Sequence, residues 1–332
     1  MSLIVDRRKG ADYKQVFEPL EKTAGMLWYE PDVKRFSVAD GQSYNPQLMT
    51  GFVCCGVNAG GSQSAVDKLD FLTDAVNTLS NFVYSVRNAG AVSGRLAGYV
   101  MGGYTTTYVS TIGKLNFSNY ASAGIASTFA NVIAVQGYFE NTVSTGYSIC
   151  GSTAGGVQSV VYKLLFDSDT TATLTNAPTT FHSPASVKSG TAGYCLGGYN
   201  TPSIISIIHK MLFSNETTNT ITSNIGTANY SAGRASAPSS GYYGGGITGA
   251  GNVSTVRRFA FGSELTTDVT STIAVRIYLG GLNSSTSGYF PGGMDGTNPL
   301  STIARLLFNT EAVSSLANTL SVARWGNRGL QV

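Results

Sequence analysis

The sequence predicts an all-β fold, and three observations lead to that prediction. Glycine provides 40 of the 332 residues, and Ser/Thr-rich turns separate short apolar runs, which is typical of many short strands. The region after residue 50 has no apolar pattern of helical spacing over a convincing length. One pattern recurs six times between residues 51 and 332. With 42% hydrophobic residues, the chain can bury a substantial core.

The repeated unit is defined by four aligned columns. Each unit opens with a glycine followed by an aromatic residue, at intervals of 47 or 48 residues: Gly51, Gly98, Gly146, Gly193, Gly241 and Gly288. A phenylalanine follows 19 or 20 residues later: Phe71, Phe117, Phe166, Phe213, Phe261 and Phe308. A base stands three residues before each of these: Lys68, Lys114, Lys163, Lys210, Arg258 and Arg305. An apolar residue stands between base and phenylalanine in every unit.

Each unit contains four segments that read as strands. The opening segment, GYVMGG at 98–103 for example, predicts an apolar strand that ends in a glycine turn. A variable loop and the Val/Ile-x-Lys-Leu-x-Phe strand follow, and then a short segment around Leu79, Leu174 or Leu316. An Ala/Ser/Val-rich stretch before the next unit supplies a fourth strand. Four strands per 47–48 residues are typical of a β-propeller blade.

The last residues predict how the ring closes. The chain ends at Val332, three residues before a seventh Gly-Tyr pair would fall. The segment SVARWGNRGLQV therefore stands where a strand precedes an opening strand, and only the first unit can follow it. We expect it to pair beside Gly51–Gly56, which gives a six-bladed β-propeller over 51–332 closed by the C-terminal strand. A stacked β-solenoid is the alternative, although its units are usually shorter, roughly 20–29 residues.

Residues 1–50 differ in composition from the repeats. They carry seven acidic and seven basic side chains, whereas the other 25 charges are spread over 282 residues. This shift predicts a boundary near residue 50 and a separate N-terminal arm. Met26–Tyr29 and Lys34–Val38 read as a hairpin, with a turn at 30–33 in which Pro31 presets a type I geometry.

Two resemblances follow from these motifs. The Gly-Gly strand ends, the preceding Tyr and the period near 50 resemble kelch-type propeller repeats, although the late Trp of kelch blades is missing except for Trp325. The variant GYxxGG followed by T-I-x-K-L-x-F is similar to repeats in virion proteins of phages and phage-like particles. The segment GMLWYEPDVKRFSVADGQSY (25–44) resembles a hairpin found in tail-fibre and other adsorption proteins of tailed phages.

The resemblances imply a virion structural protein, most simply a tail-fibre or other displayed tail component. The arm would anchor it to other virion proteins, with Trp28, Tyr29 and Phe36 as its anchoring residues. Such a protein would be assembled in the host cytoplasm, reside in the virion and be oligomeric there. An intracellular kelch-like scaffold and a carbohydrate-binding lectin or enzyme on a propeller fold are the alternatives.

Composition narrows the possible chemistry. A formal charge of +3 without a Lys/Arg-rich run argues against nucleic-acid binding. Apolar runs are too short for a membrane-spanning helix. Two His, four scattered Cys and few carboxylates after residue 50 provide no catalytic or metal-binding constellation, so we expect no enzyme activity, metal or cofactor.

Several recurring residues have structural interpretations. We expect the basic column to pack its stems between blades and cap backbone carbonyls, rather than to grip a polyanion. Cys54, Cys55, Cys150 and Cys195 fall in buried strands and are expected to be small apolar fillers. The Gly-Gly pairs lack the G-K-[ST] of a phosphate loop and are expected to be turns.

Candidate binding residues lie in the loops after the Gly-Gly turns. These loops vary between units, whereas the strands around them are alike. Tyr104, Tyr108, Tyr199 and Asn200 are not shared by all units, and tyrosine offers an apolar ring with a polar tip. We expect these residues to contact a host surface glycan or protein, or a neighbouring virion subunit.

Overall fold

The computed structural model describes residues 27–30, 35–38, 50–141, 144–174, 177 and 179–332. Backbone contacts divide the chain into two units, Met1–Gln47 and Leu48–Val332. In the first unit, strands Leu27–Glu30 and Arg35–Val38 form an antiparallel hairpin in which Tyr29 lies opposite Phe36. Glu30 belongs to the first strand rather than to the turn, and the predicted turn at 31–33 lies outside the described residues.

Six four-stranded antiparallel sheets make up the second unit, which confirms the predicted six-bladed β-propeller. The innermost strand of each blade contacts the innermost strands of both neighbours. Blade by blade, from the innermost strand outward, the strands are Arg328–Gln331, Thr50–Cys54, Val66–Asp70 and Val76–Thr78; Gly90–Ser93, Ala97–Tyr104, Tyr108–Asn116 and Ser122–Gly124; Gly137–Glu140, Thr145–Thr153, Gly156–Leu165 and Thr170–Thr173; Ala185–Lys188, Ala192–Asn200, Ser203–Leu212 and Thr218–Asn224; Gly233–Ser236, Ser240–Gly244, Thr255–Ala260 and Leu265–Thr272; Leu282–Asn283, Ser287–Pro291, Ile303–Leu307 and Val313–Ser315. Two short hairpins, Val57–Asn58 with Gly61–Ser62 and Ile247–Thr248 with Gly251–Asn252, extend blades 1 and 5.

The C-terminal strand closes the ring as predicted. Arg328–Gln331 is the innermost strand of blade 1 and pairs with Thr50–Cys54, with Leu330 opposite Phe52. Leu330 is fully buried. The first and last strands of the ring therefore belong to one sheet, that of blade 1, and the ring has no free innermost edge.

The opening glycines are required by the close approach of neighbouring blades. A Cβ on Gly98 would lie 2.6 Å from Cδ1 of Leu330 in the preceding blade, which is closer than carbon atoms tolerate. The other five opening glycines likewise face an innermost-strand side chain of the preceding blade: Leu282, Val92, Phe139, Val187 and Ala235. The glycine column thus marks blade-to-blade packing.

The phenylalanine column packs between blades in the same repeated way. Each of these rings stacks on the opening aromatic residue of the preceding blade, with centroids 4.8–5.7 Å apart and interplanar angles of 8–16°. The opening tyrosines are buried, as expected for core residues. Such stacked pairs stabilise each interface beyond the area they bury.

The basic column makes ion pairs between blades, so the expected capping of backbone carbonyls is wrong. Each base from blade 2 onward reaches a carboxylate at the outer turn of the next blade, with N–O distances of 2.6–3.0 Å: Lys114–Asp169, Lys163–Glu216, Lys210–Glu264, Arg258–Glu311 and Arg305–Asp74. The acids stand three residues after the phenylalanine and have positive φ. Each pair is half-exposed and worth at most about 1 kcal/mol, so the set fixes the register of neighbouring blades more than their stability.

The interface between blades 1 and 2 has a hydrogen bond in place of the ion pair. Phe52 stands where the other blades have tyrosine, and Tyr120 stands where they have an acid. Lys68 donates a hydrogen bond of 2.7 Å to the Tyr120 hydroxyl. The Tyr120 hydroxyl thus takes the place of the carboxylate, and Phe52 has no hydroxyl that would need a partner.

The four cysteines are buried and free, as expected for small core residues. Cys55 and Cys150 occupy the first position of the glycine turn, with φ of 63° and 57°. Burial raises the pKa of the Cys55 thiol to about 12. All four thiols are therefore protonated at neutral pH, which makes them unreactive.

His209 makes the core of blade 4 sensitive to acid. Its ring is buried, stacks on Phe181 at 4.5 Å and lies 3.0 Å from the Thr179 hydroxyl. Burial lowers the pKa of His209 to about 4. An unfolded histidine takes up a proton near pH 6.5, so the unfolded chain binds more protons than the folded chain between pH 6.5 and 4.

We therefore expect the free energy of unfolding to fall by up to about 3 kcal/mol between pH 7 and pH 4. Stability from neutral His209 is complete above pH 6.5 and is lost as the pH falls to about 4. Urea denaturation at several pH values, on the natural chain and on His209→Gln, measures this. If both proteins lose stability in parallel across the window, His209 is not the cause.

Candidate binding face and axial channel

A closed ring of backbone hydrogen bonds surrounds one mouth of the axial channel. Six residues, one from each blade, each donate the backbone N–H to the carbonyl of the preceding blade's member, at 2.6–2.9 Å. We call these residues the rim: Asn88, Val135, Ser183, Ser231, Tyr278 and Gly326. All six have φ between 53° and 63°, and this left-handed conformation turns each chain into its innermost strand. The rim fixes the geometry of this mouth without using side chains.

The variable loops open on the same face as the rim. In each blade the residue before the rim pairs with the residue after the glycine turn, for example Arg87 with Tyr104 and His182 with Tyr199. The turns between the first and second strands, and between the third and fourth, lie at the opposite end of each blade because strands alternate in direction. Leu96, which is 77% exposed, marks that opposite face.

Half-buried aromatic residues form an arc around the rim. Tyr104 packs edge-on against Tyr108 at 5.2 Å, and the Arg87 guanidinium lies 4.8 Å from the Tyr104 ring. Arg87 also lies 5.5 Å from the ring of Trp325, which packs against Tyr278 at 5.1 Å. These contacts link blades 2, 1 and 6 into one surface.

The arc continues through blades 5 and 4. Tyr230 packs against Tyr199 with ring centroids 5.3 Å apart. His182 also packs against Tyr199, at 5.2 Å. Burial raises the pKa of Tyr230, and the nearby hydroxyls of Tyr278 and Tyr199 raise it further. Burial also lowers the pKa of His182. The aromatic arc therefore comprises Tyr104, Tyr108, Arg87, Trp325, Tyr278, Tyr230, Tyr199 and His182.

Blade 3 interrupts the arc. Its corresponding positions hold Ala134 and Ser152, which pair with each other but carry no ring. Aromatic side chains therefore surround the mouth at five blades, and small side chains take their place at blade 3.

The four predicted binding residues lie on this face. Tyr104, Tyr108 and Tyr199 belong to the arc, in two groups separated by residues that the sequence reasoning missed. Asn200 accepts a hydrogen bond from the Thr180 hydroxyl at 3.1 Å, so it connects the end of its strand to the segment before the innermost strand of blade 4. Trp28, Tyr29 and Phe36 lie on the hairpin of the other unit, and their role as anchoring residues stays a prediction.

The missed residues carried a spacing signal in the sequence. The residues that precede the rim form a column with a spacing of 47 or 48 residues. Its six members are Arg87, Ala134, His182, Tyr230, Ile277 and Trp325. The residue type changes at every step, so no motif stands out. The spacing alone identifies them once the rim is known.

Two arginines and a tyrosine narrow the axial channel. The Arg234 guanidinium lies 3.4 Å from the centre of the Tyr138 ring, and that of Arg328 lies 5.6 Å from it. Arg234 donates to the Ser186 carbonyl at 2.8 Å and to the Tyr138 carbonyl. Arg328 donates to the Asn327 carbonyl at 2.7 Å and to the Ala89 carbonyl. Burial lowers the pKa of Arg234, Tyr138 and Glu140 oppose that shift, and the charge of Arg328 adds to it.

The other mouth of the channel, a cavity of about 400 Å³ including its opening, is lined by paired polar groups. Lys188 and Glu140 form an ion pair of 2.6 Å. Four side chains at the ends of the innermost strands accept hydrogen bonds from the backbone N–H of a neighbouring blade: Ser93, Gln331, Asn283 and Ser236. The polar atoms at this end thus have partners within the protein.

The described residues form neither a metal cluster nor a membrane-spanning helix. Within the described part of the chain, no three His, Cys, Asp or Glu side chains converge as a metal site requires. Among those same residues, none belongs to a helix of the length and apolar character of a membrane span.

Comparison with known proteins adds no family. No protein-family model matches the chain, and no curated protein matches it either.

Proposed function

We propose that this protein is a non-catalytic attachment component of a tailed-phage virion. Its propeller binds a host surface or a neighbouring virion subunit through the face that carries the aromatic arc, and residues 1–50 anchor it to other virion proteins. The observation that carries the binding role is the arc itself: aromatic and basic side chains from five blades, half-buried and concentrated at one mouth.

The arrangement of the arc supports a binding role. Its rings are braced by one another and by Arg87, so little conformational entropy remains to be lost on binding. Tyr and Trp are the residues that most often anchor recognition surfaces, because each offers a large apolar area with a polar tip. The hydrogen-bonded rim beneath them keeps the five blades in fixed relation.

The assignment to a phage virion rests on sequence resemblance. The GYxxGG repeats resemble those of phage virion proteins, and segment 25–44 resembles a tail-fibre hairpin. The two features lie in different units of the chain and point to the same class of protein. An attachment role suits a ring whose loops vary while its strands stay alike.

Replacing Tyr104, Tyr108 and Tyr199 by Ala should weaken attachment without unfolding the ring. Loss of an aromatic anchor commonly costs more than about 1 kcal/mol, so we expect at least about tenfold weaker adsorption to cells or binding to the neighbouring subunit. Particle adsorption assays and thermal melting of the purified protein measure the two effects. The matched control is Leu96→Ala, on the opposite face. Equal adsorption by the triple variant and the control would remove the arc from the function.

A chain that begins at Leu48 should fold but fail to join the particle. The second unit starts there, and the repeat columns do not extend before it. Thermal melting of the shortened protein and its incorporation into particles provide the test. A melting temperature clearly below that of the full chain would mean that residues 1–47 belong to the core. Normal incorporation would show that anchoring lies in the ring.

A further inference from the structure

We propose that the rim-side mouth of the axial channel binds the carboxylate of an acidic sugar, with Arg234 and Arg328 as its cationic ligands. This inference deepens the attachment function proposed above, since it names the chemistry of a surface glycan. The mouth is a cavity of about 420 Å³, including its opening. It is lined by residues of all six blades, and blades 1 and 2 contribute one residue each, Arg328 and Asn88.

The two arginines make no ion pair with a described residue, and Glu140 acts on Arg234 only from beyond ion-pair distance. No carboxylate of the described residues lies within ion-pair distance of either guanidinium, and Glu140 is already paired with Lys188. Two other buried arginines pair with acids, Arg324 with Asp67 and Arg257 with Asp268, whereas buried Arg276 donates only to the Gly292 and Thr302 carbonyls. Two like charges beside one ring are unfavourable in a poorly solvated channel, and a bound anion relieves that repulsion.

Both guanidinium groups keep donors for a ligand. A guanidinium has five N–H groups in a plane. Arg234 uses only Nη1, towards the Tyr138 and Ser186 carbonyls. Arg328 uses Nε and Nη1, towards the Ala89 and Asn327 carbonyls. The remaining N–H groups have no acceptor among the described residues, and both side chains line the same mouth. Planar donor pairs of this kind suit a carboxylate.

Two further polar atoms in the mouth, Gln136 Oε1 and the Ser231 hydroxyl, favour a sugar over a simple anion. Gln136 is 2% exposed, and its Nε2 donates to the Met101 carbonyl at 2.7 Å, which leaves Oε1 buried without a partner. The Ser231 hydroxyl is likewise buried and unpartnered. An unpaired acceptor such as Oε1 repels the oxygens of sulfate or phosphate but accepts a hydrogen bond from a sugar hydroxyl.

The edge of the mouth provides the apolar contact that a sugar ring requires. Tyr278 lines the cavity and packs against Trp325 of the aromatic arc. A carboxylate held on the arginines places the attached ring beside Tyr278, with its hydroxyls near Gln136 and Ser231. An acidic peptide supplies the carboxylate and N–H donors for Oε1, but it has no hydroxylated ring to lie beside Tyr278.

Titration calorimetry on the full chain tests the proposal with matched small molecules. We expect D-glucuronate or N-acetylneuraminate to bind, and D-glucuronamide, which has the shape of glucuronate without its charge, to bind at least tenfold more weakly. Sulfate and N-acetylglutamate should bind more weakly than the acidic sugar. Arg328→Gln should weaken the binding of that sugar at least tenfold. Arg95→Gln removes the same charge from an exposed turn on the opposite face and should leave binding unchanged.

Thermal melting identifies variants that fail to fold, and Tyr278→Ala then provides a second variant at the rim, with the same expected loss. Equal binding of glucuronate and glucuronamide, binding of sulfate or N-acetylglutamate as tight as that of the sugar, or no binding of either acid would overturn the proposal. The attachment function is judged separately by the adsorption of the tyrosine triple variant, so either proposal can fail while the other stands.

Discussion

Removal of Arg324–Val332 should abolish cooperative folding of the ring. The deletion takes away the innermost strand of blade 1 and the fully buried Leu330. It also removes Gly326, and with it two of the six hydrogen bonds of the rim. Asp67 would remain in the core without Arg324, which alone costs about 3–5 kcal/mol. Domains of this kind are stable by about 5–15 kcal/mol in total, so these losses together exceed what the ring can tolerate.

Circular dichroism melting and size-exclusion chromatography check this expectation. The shortened protein should show no cooperative melt, and adding the peptide 324–332 in excess should restore one, because the missing strand then returns to its edge. Ala substitution of half-exposed Gln331 is a control that keeps the strand. A truncated protein that melts like the complete one would mean that the ring does not depend on closure by this strand.

Much of the fold could be predicted because blade packing imposes the same residue at the same column. Gly98 and its counterparts must be glycine where a neighbouring side chain leaves no room for a Cβ. Phe117 and its counterparts must be flat to stack on the preceding blade. Steric requirements of this kind leave a constant residue type, which a single sequence reveals as a repeat.

The inter-blade ion pairs were missed for a physical reason. The base belongs to one blade and its acid to the outer turn of the next, 53–55 residues later in blades 2 to 5, so no local motif contains both. The acid column also changes between Asp and Glu and becomes Tyr120 in blade 2. The residues three positions after each phenylalanine could be aligned in the sequence. Their pairing with a base can be inferred only once it is known which blades are neighbours.

The binding face could be predicted only in part. Tyr104, Tyr108 and Tyr199 were found because they stand in variable loops after a recognisable turn. The rim was not found, because it is built from backbone atoms and one conformation, shared by residues as different as Val135 and Tyr278. Arg234 and Arg328 were missed because they occupy innermost-strand positions at which the other blades carry small residues or Tyr138. Their meeting at the axis follows from ring closure, which brings residues 94 positions apart to one mouth.

The ion pair between Arg324 and Asp67 is expected to be the most stabilising single polar contact of the closure. Its side chains are 0% and 1% exposed and lie 2.9 Å apart. Arg324 also donates to the Val53 carbonyl at 2.9 Å, and Asp67 accepts from the Ser321 N–H at 3.1 Å. The pair therefore ties the C-terminal segment to two strands of the first blade.

Arg324→Met should lower the free energy of unfolding by about 3–5 kcal/mol, because it leaves the Asp67 carboxylate buried without its counter-charge. The double variant Arg324→Met with Asp67→Asn should recover most of that loss, since asparagine is neutral and still accepts from Ser321. Urea denaturation of the natural chain, both single variants and the double variant gives the coupling energy of the pair. A coupling near zero would show that Asp67 is stabilised by its other hydrogen bonds, and that Arg324 acts through packing rather than charge.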